Sequence, residues 1–361
     1  MLGLRRARLQ DDAPRTARHM SRRRPRGRLA LLVALGALLS GAPSEAQGIG
    51  VPSPRYGIGF GNSPRFNGVR FNLSDRDIVV IRGLNVTFWR AEESPGSHVS
   101  GLALGLIAPQ ADRITGFALG LGGVGGDDLD GVMVGGLGVG AGRHATGVIL
   151  GGIGAGTGGD VRGVAAGGIG LGAGRDFSGI GIGGIGLGVG RDFTGLGVGG
   201  IGLGSGERLR GVAVGGIGVG AGTDLCGIAF GGIGVGAGEN LTGLVLGGIG
   251  AGAGEALNGV VLAGIGAGAG ERLQGLACGG IALGAPEMVG VMVSGAYTRA
   301  EAVTGLAATA GWCRAEERVT GLSIALLNTA PVLQGIQLGL LNYAGNNPPA
   351  LRWLPGINLH F

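Results

Sequence analysis

Branched aliphatic residues and glycine alternate through most of the chain, and the alternation restarts every sixteen residues. In one repeat Leu196 and Val198 are followed by Ile201 and Leu203, with glycine between them. Period two is the pattern of a β-strand. The Gly199-Gly200 pair moves the phase by one residue, as a corner or bulge does. A polar segment, Glu207-Arg208-Leu209-Arg210, then reads as a turn before the next repeat opens at Gly211. The opening glycine returns at Gly131, Gly147, Gly163, Gly179, Gly195, Gly211, Gly227, Gly243, Gly259 and Gly275. An isoleucine stands at the seventh position of each repeat from Ile153 to Ile281, preceded by Leu137.

This strict period predicts an all-β repeat architecture over residues 131–290. Helix is disfavoured, because glycine at about half of the positions costs about 1 kcal/mol each relative to alanine. Two architectures fit. In a β-solenoid each repeat is one coil and equivalent residues stack about 4.8 Å apart. In an outer-membrane β-barrel each repeat is one antiparallel strand. The uniform links, the phase shift in every repeat and the scarcity of aromatics (Phe177, Phe193 and Phe230 within the block) favour the solenoid. On that reading the isoleucine column forms an internal apolar spine. The residues at Phe177, Phe193, Leu209, Leu225, Leu241, Leu257 and Leu273 also point back into the core, and the outer faces are flat and glycine-lined. The barrel remains the alternative, supported by the ending Ile357, Leu359, Phe361, which alternates toward a terminal aromatic.

Outside this block the chain divides further. Residues 1–46 read as a signal peptide, with ten arginines, an apolar run over residues 29–39 and small residues Ser44 and Ala46 at a cleavage position. Met20 offers a second start, so residues 1–19 are an over-extension on that reading. Residues 47–67 are a Pro/Gly/Ser-rich leader or N-terminal cap. Residues 68–130 hold degenerate repeats opening at Gly68, Gly83, Gly101 and Gly116. Residues 291–345 hold looser repeats around Gly305, Gly321 and Gly335, and residues 346–361 form a cap strand. Eighteen coils are expected from Gly68 to Gly335. Asn328 and Asn342 recur at one place in their repeats, where inward amides satisfy corner backbone groups.

The whole chain carries +5, but the ten leader arginines face only Asp11, Asp12 and Glu45. Beyond residue 46, 18 arginines meet 20 acids, a net charge of −2. The basic balance belongs to the leader, and no nucleic-acid face is expected.

Candidate chemistry is thin. Gly195, Gly197 and Gly200 satisfy the GxGxxG spacing, as do Gly179, Gly181 and Gly184, but a motif that matches in repeat after repeat reports glycine content. A chain without lysine has no Walker motif, and the calcium-binding nonapeptide has the wrong period. The carboxylates Asp160, Asp176, Asp192, Glu207, Asp224, Glu239, Glu255 and Glu271 form a loose column that could attract a hard cation. Turn residues offset by Arg162, Arg175, Arg191, Arg208 and Arg272 are the simpler reading. Asn85-Val86-Thr87 matches a glycosylation sequon by pattern alone. Cys226 reads as a turn residue, Cys278 as a small inward core residue, and Cys313 adjoins Trp312. Three cysteines suggest no disulfide framework. His19, His98, His144 and His360 are scattered. No catalytic, cofactor-binding or metal-ligating residue is assigned.

Several segments together resemble a known family. They are Phe66-Asn67-Gly68-Val69-Arg70-Phe71-Asn72-Leu73, Gly83-Leu84-Asn85-Val86-Thr87-Phe88-Trp89, the Gly-Gly-Ile-Gly repeats, the run from Gly335 to Asn347, and Leu351-Arg352-Trp353-Leu354-Pro355. The chain resembles the bacterial surface-repeat-containing proteins of Gram-negative phyla over nearly all of its length beyond the leader. The resemblance implies an exported, envelope-associated repeat protein and supplies no catalytic residues. Glycine here replaces the polar residues usual between the aliphatics. The expected function is structural or interaction scaffolding at the cell surface, outer membrane or periplasm, with self-association as one outcome. An integral outer-membrane pore or anchor is the alternative.

Overall fold

Each coil of the regular block contains two strands. In one coil the long strand is Leu209–Gly215 and the short strand Gly218–Ala221. Gly216-Ile217 makes one corner between them, and Gly222-Thr223-Asp224 makes the other. Both strands pair in parallel with their counterparts sixteen residues away, Phe193–Gly199 and Gly202–Ser205, without a register shift. The computed structural model describes residues 48–92 and 94–361, and these form a stacked parallel β-solenoid. The barrel alternative is excluded, because a barrel strand would run antiparallel to its neighbour. Instead Ile217 N–H donates to Ile201 C=O at 2.6 Å, coil onto coil. The leader expected over residues 1–46 lies outside the described residues.

The corners are hydrogen-bonded as regularly as the strands. Gly206 N–H donates to Val189 C=O at 2.9 Å, and Glu207 N–H to Arg191 C=O at 2.9 Å. These corner N–H groups are thereby paired with the preceding coil, so corner length is matched from coil to coil through the regular block. From Gly68 to Gly335, eighteen glycines with φ between 111° and 139° lie in one column. They mark seventeen steps of about 4.8 Å, a rod roughly 80 Å long.

The interior is filled by four columns, represented in one coil by Leu209, Ala213, Val219 and Ala221, all 9% exposed or less. The expectation for Phe177, Phe193 and Leu209 holds: each is at most 1% exposed. The expectation for the isoleucines does not. Ile153 through Ile281 are 47–52% exposed and stand outward at a corner. Leu196 and Ile182 also face outward, at 41% and 45%. Strand alternation forces this arrangement. With Leu209 inward, the residues of like parity are Gly211, Ala213 and Gly215, so Val212 and Val214 must point out.

Both ends of the stack close with antiparallel strands. Ile49–Ser53 pairs with Tyr56–Phe60, which lies parallel on Arg65–Asn72. Trp353–His360 runs antiparallel to Val332–Ala344. Pro52 and Pro355 sit in these terminal strands, and a residue without an N–H blunts an edge against strand addition.

The core turns polar at both ends. Arg70 is fully buried and ion-paired with Asp75. It also donates to Asn85 Oδ1 at 2.9 Å and to Ser63 C=O at 2.7 Å. Burial pushes its guanidinium down to about 10, still well above neutrality, so the pair remains charged at pH 7. Asn85 is 1% exposed within this network, which removes the sequon from solvent. At the other end the expected asparagine ladder is present. Asn328 Nδ2 donates to Asn342 Oδ1 at 2.7 Å and to Leu338 C=O at 3.0 Å, and Asn342 Nδ2 donates to Leu354 C=O at 3.2 Å. Replacing Asn342 by leucine strands these partners in the core, so we expect a loss of about 2–3 kcal/mol. Hydrogen exchange should show it as lost protection over Val332–Ala344, while the distant Leu209–Gly215 strand is unchanged.

Candidate functional site

The rod presents three lengthwise outer surfaces, each fixed by strand parity. The outside of the long-strand sheet is aliphatic. Ile180 and Ile182 in one coil, then Leu196 and Val198 in the next, project outward in two rows. The corner isoleucines form a third row beside them. Between the second and third rows lies the Gly-Gly corner, whose second glycine admits no side chain: a Cβ on Gly200 would sit 1.9 Å from Gly184 O. The result is a ridge, a furrow and a second ridge running along the rod. Near Phe230, Leu246, Leu262 and Cys278 the furrow forms an open depression of about 470 Å³.

The outside of the short-strand sheet is nearly bare. Gly202 and Gly204 face outward in one coil, Gly218 and Gly220 in the next. A Cβ on Gly204 or Gly220 would have nothing within 4 Å, so the fold does not demand glycine there. The expectation of glycine-lined outer faces holds for this surface and fails for the aliphatic one.

The third surface is the charged edge. Arg191 bridges to Asp176 at 2.6 Å and Arg208 to Asp192 at 2.7 Å, each reaching one coil back. Arg175 pairs with Asp160 in the same way, and Arg272 pairs with Glu287 on the coil after it. Asp160, Asp176 and Asp192 are thus offset by Arg175, Arg191 and Arg208, as the turn reading expects. Among the described residues no group of three or more His, Cys, Asp or Glu side chains is disposed to hold a metal ion. The hydrogen bond from Arg208 holds the Asp192 carboxyl below its ordinary value. A carboxyl lowered on folding adds stability above its unfolded pKa, and that contribution fades as pH falls through the lower folded value. The pair is largely solvated, and solvent screening keeps its contribution small. Melting temperatures of the wild type and Asp192→Asn should differ slightly near pH 6, converge at strongly acid pH, and converge also in high salt.

The remaining candidates disperse. The backbone N–H groups of Gly200, Ile201 and Gly202, at the end of one GxGxxG match, all donate to the preceding coil. They are unavailable to a phosphate. Cys278 is half-buried on the aliphatic face and not an inward residue, because its position shares parity with Val214 and Leu262. Cys226 lies exposed in the strand Leu225–Gly231, not in a turn. Cys313 is buried, and burial raises its thiol pKa. All three are free thiols. His98 meets Thr115, His144 meets Asp160, and His360 meets Asn347, in separate parts of the rod.

Sequence reasoning missed the aliphatic surface. The signal was present in the polar residues two places before each outward aliphatic: Thr194 before Leu196 and Arg210 before Val212. Residues two apart on a strand share a face, so a face that carries Arg210 is an outer face. No known family, curated protein or solved structure matches the chain.

Proposed function

We propose that the chain is an exported, non-enzymatic structural and interaction protein of the cell envelope. The observation that carries this reading is the continuous outward apolar surface over the regular block. The largest exposed apolar patch on a typical monomeric soluble protein is about 300–600 Å². Ten rungs at about 4.8 Å and three rows spanning about 17 Å give roughly 800 Å² here. Such a surface serves contact rather than turnover, and the coils below it hold it in a regular repeat. The leader-like residues 1–46 support export.

Fractionation of a Gram-negative cell producing the full chain tests the reading. The expected product starts near residue 47, is found in the envelope fraction, and is degraded by protease added to intact or osmotically opened cells. An uncleaved cytosolic product would overturn it.

A further inference from the structure

The ten repeats are copies within one chain, so they record which columns drift and which hold. The outward polar column drifts freely: Thr194, Arg210, Cys226, Thr242, Asn258 and Gln274 occupy it in succession. The buried columns drift as well; the one containing Ala213 also holds Met133, Ile149, Gly197 and Val245. The corner isoleucine does not drift. It is isoleucine in nine consecutive repeats although half of its surface meets solvent. Interior packing tolerates glycine, alanine, valine and methionine, so interior packing is not what holds an exposed residue constant. A surface that must fit a partner with matching spacing would.

From this we infer that the aliphatic surface is the self-association face of the protein and that its partner is a second copy packed on it about a twofold axis. The inference rests on the interaction-scaffold reading above and specifies its partner. Shape supports it: the isoleucine ridge lies beside the Gly-Gly furrow. A twofold axis lying in the interface and parallel to the rod, midway between the two features, sets each copy's ridge against the other's furrow. Both rods then share one rung spacing, so the fit repeats along the block. Area supports it too. About 800 Å² from each copy makes roughly 1,600 Å² in total, the size of a standard stable interface. The Arg–Asp ladder lies away from this surface, at the turns of the opposite corner, so pairing buries none of those charges. A lipid surface fits less well. Interfacial segments anchor with tryptophan and a basic rim, whereas Phe230 is the one aromatic on this face within the block. The bare glycine surface of a second rod fits less well also, since it offers few apolar side chains to cover the isoleucines.

Analytical ultracentrifugation of the purified chain tests the pairing. The wild type should be a dimer at micromolar concentration. Ile201→Arg combined with Ile217→Arg places two charges mid-ridge, where half-exposed side chains can reach solvent in the monomer without disturbing the coil. Its dissociation constant should rise by about 100-fold or more, the penalty for burying unpaired charge. Circular dichroism should show its β content unchanged. If the double variant does not fold, Ile217→Ser serves in its place, and thiol labelling of the wild type needs no variant. Cys278, in the furrow, should react slowly with iodoacetamide in concentrated protein and faster on dilution, with exposed Cys226 as the reference. A wild-type monomer with Cys278 reactive at every concentration would overturn the inference. So would a dimer indifferent to both variants, open filaments, or monomers adsorbed to neutral phosphatidylcholine vesicles. Any of these outcomes leaves envelope localisation, and with it the broader scaffold reading, to be judged by fractionation.

Discussion

Gly211→Ala should cost more than about 3 kcal/mol, whereas Gly204→Ala, seven residues away in the same rod, should be neutral or slightly stabilising. The two sites differ in what a methyl group meets. Gly211 has φ of +118°, and a Cβ there would lie 2.1 Å from Gly195 O. The obstruction is backbone, and that backbone is held in a ladder on both sides: Gly195 pairs with Gly211, which pairs with Gly227. A shift that relieved one contact would break hydrogen bonds in three coils. Gly204 faces open solvent from the short strand and has no positive φ. Its alanine variant should lose conformational entropy in the unfolded chain and little in the folded one. Calorimetry on both variants checks the contrast. A Gly211→Ala protein melting within a degree or two of the wild type would contradict the account.

This column explains why so much of the architecture was legible from residue spacing. A glycine demanded by backbone approach recurs once per coil, and its interval reports the coil length directly. Fifteen residues between Gly275 and Gly290 mark a corner shortened by one, where Gly284-Ala285-Pro286 replaces the four residues from Gly268 to Glu271. The polar amides at Asn328 and Asn342 are readable for a similar reason: a polar residue repeated at one place in two successive coils of a mainly apolar column must satisfy something buried.

What was not legible was the direction of the side chains. Hydrophobicity alone does not set direction, because folded proteins expose much apolar surface. Leu209 and Val212 are three apart in one strand and cannot share a face without a phase shift between them. Placing Leu209 inside already placed Val212 outside. The misreading of Ile201 has a different cause. The Gly199-Gly200 corner was recognised, but a corner residue's side chain leaves the rod, and only the next odd position, Leu203, returns to the core. The core is consequently narrower than the aliphatic content suggests, and small residues carry a large share of it.

That narrowness makes side-chain volume within a coil a conserved quantity, and the strongest test is Phe193→Ala, expected to cost about 3–5 kcal/mol. Phe193 is fully buried and stacks on Phe177, ring centroids 5.3 Å apart. Its ring fills the room left by Gly197, four residues along the same strand face, where a Cβ would lie 2.7 Å from Phe193 Cζ and 2.2 Å from Leu203 Cδ1. The adjoining coil solves the same problem with Leu209, Ala213 and Val219. Each coil therefore trades a large residue in one column for a small one in another. Gly197→Ala alone should destabilise by overpacking, and Phe193→Leu alone by leaving a void. Together, with Leu203→Val, they rebuild the neighbouring coil's set, and the combined loss should fall below the sum of the parts by about 1–2 kcal/mol. Denaturant midpoints for the singles and the combination measure that coupling. Strict additivity would mean that the coils do not conserve volume, and the pairing of Phe193 with Gly197 would then need another cause.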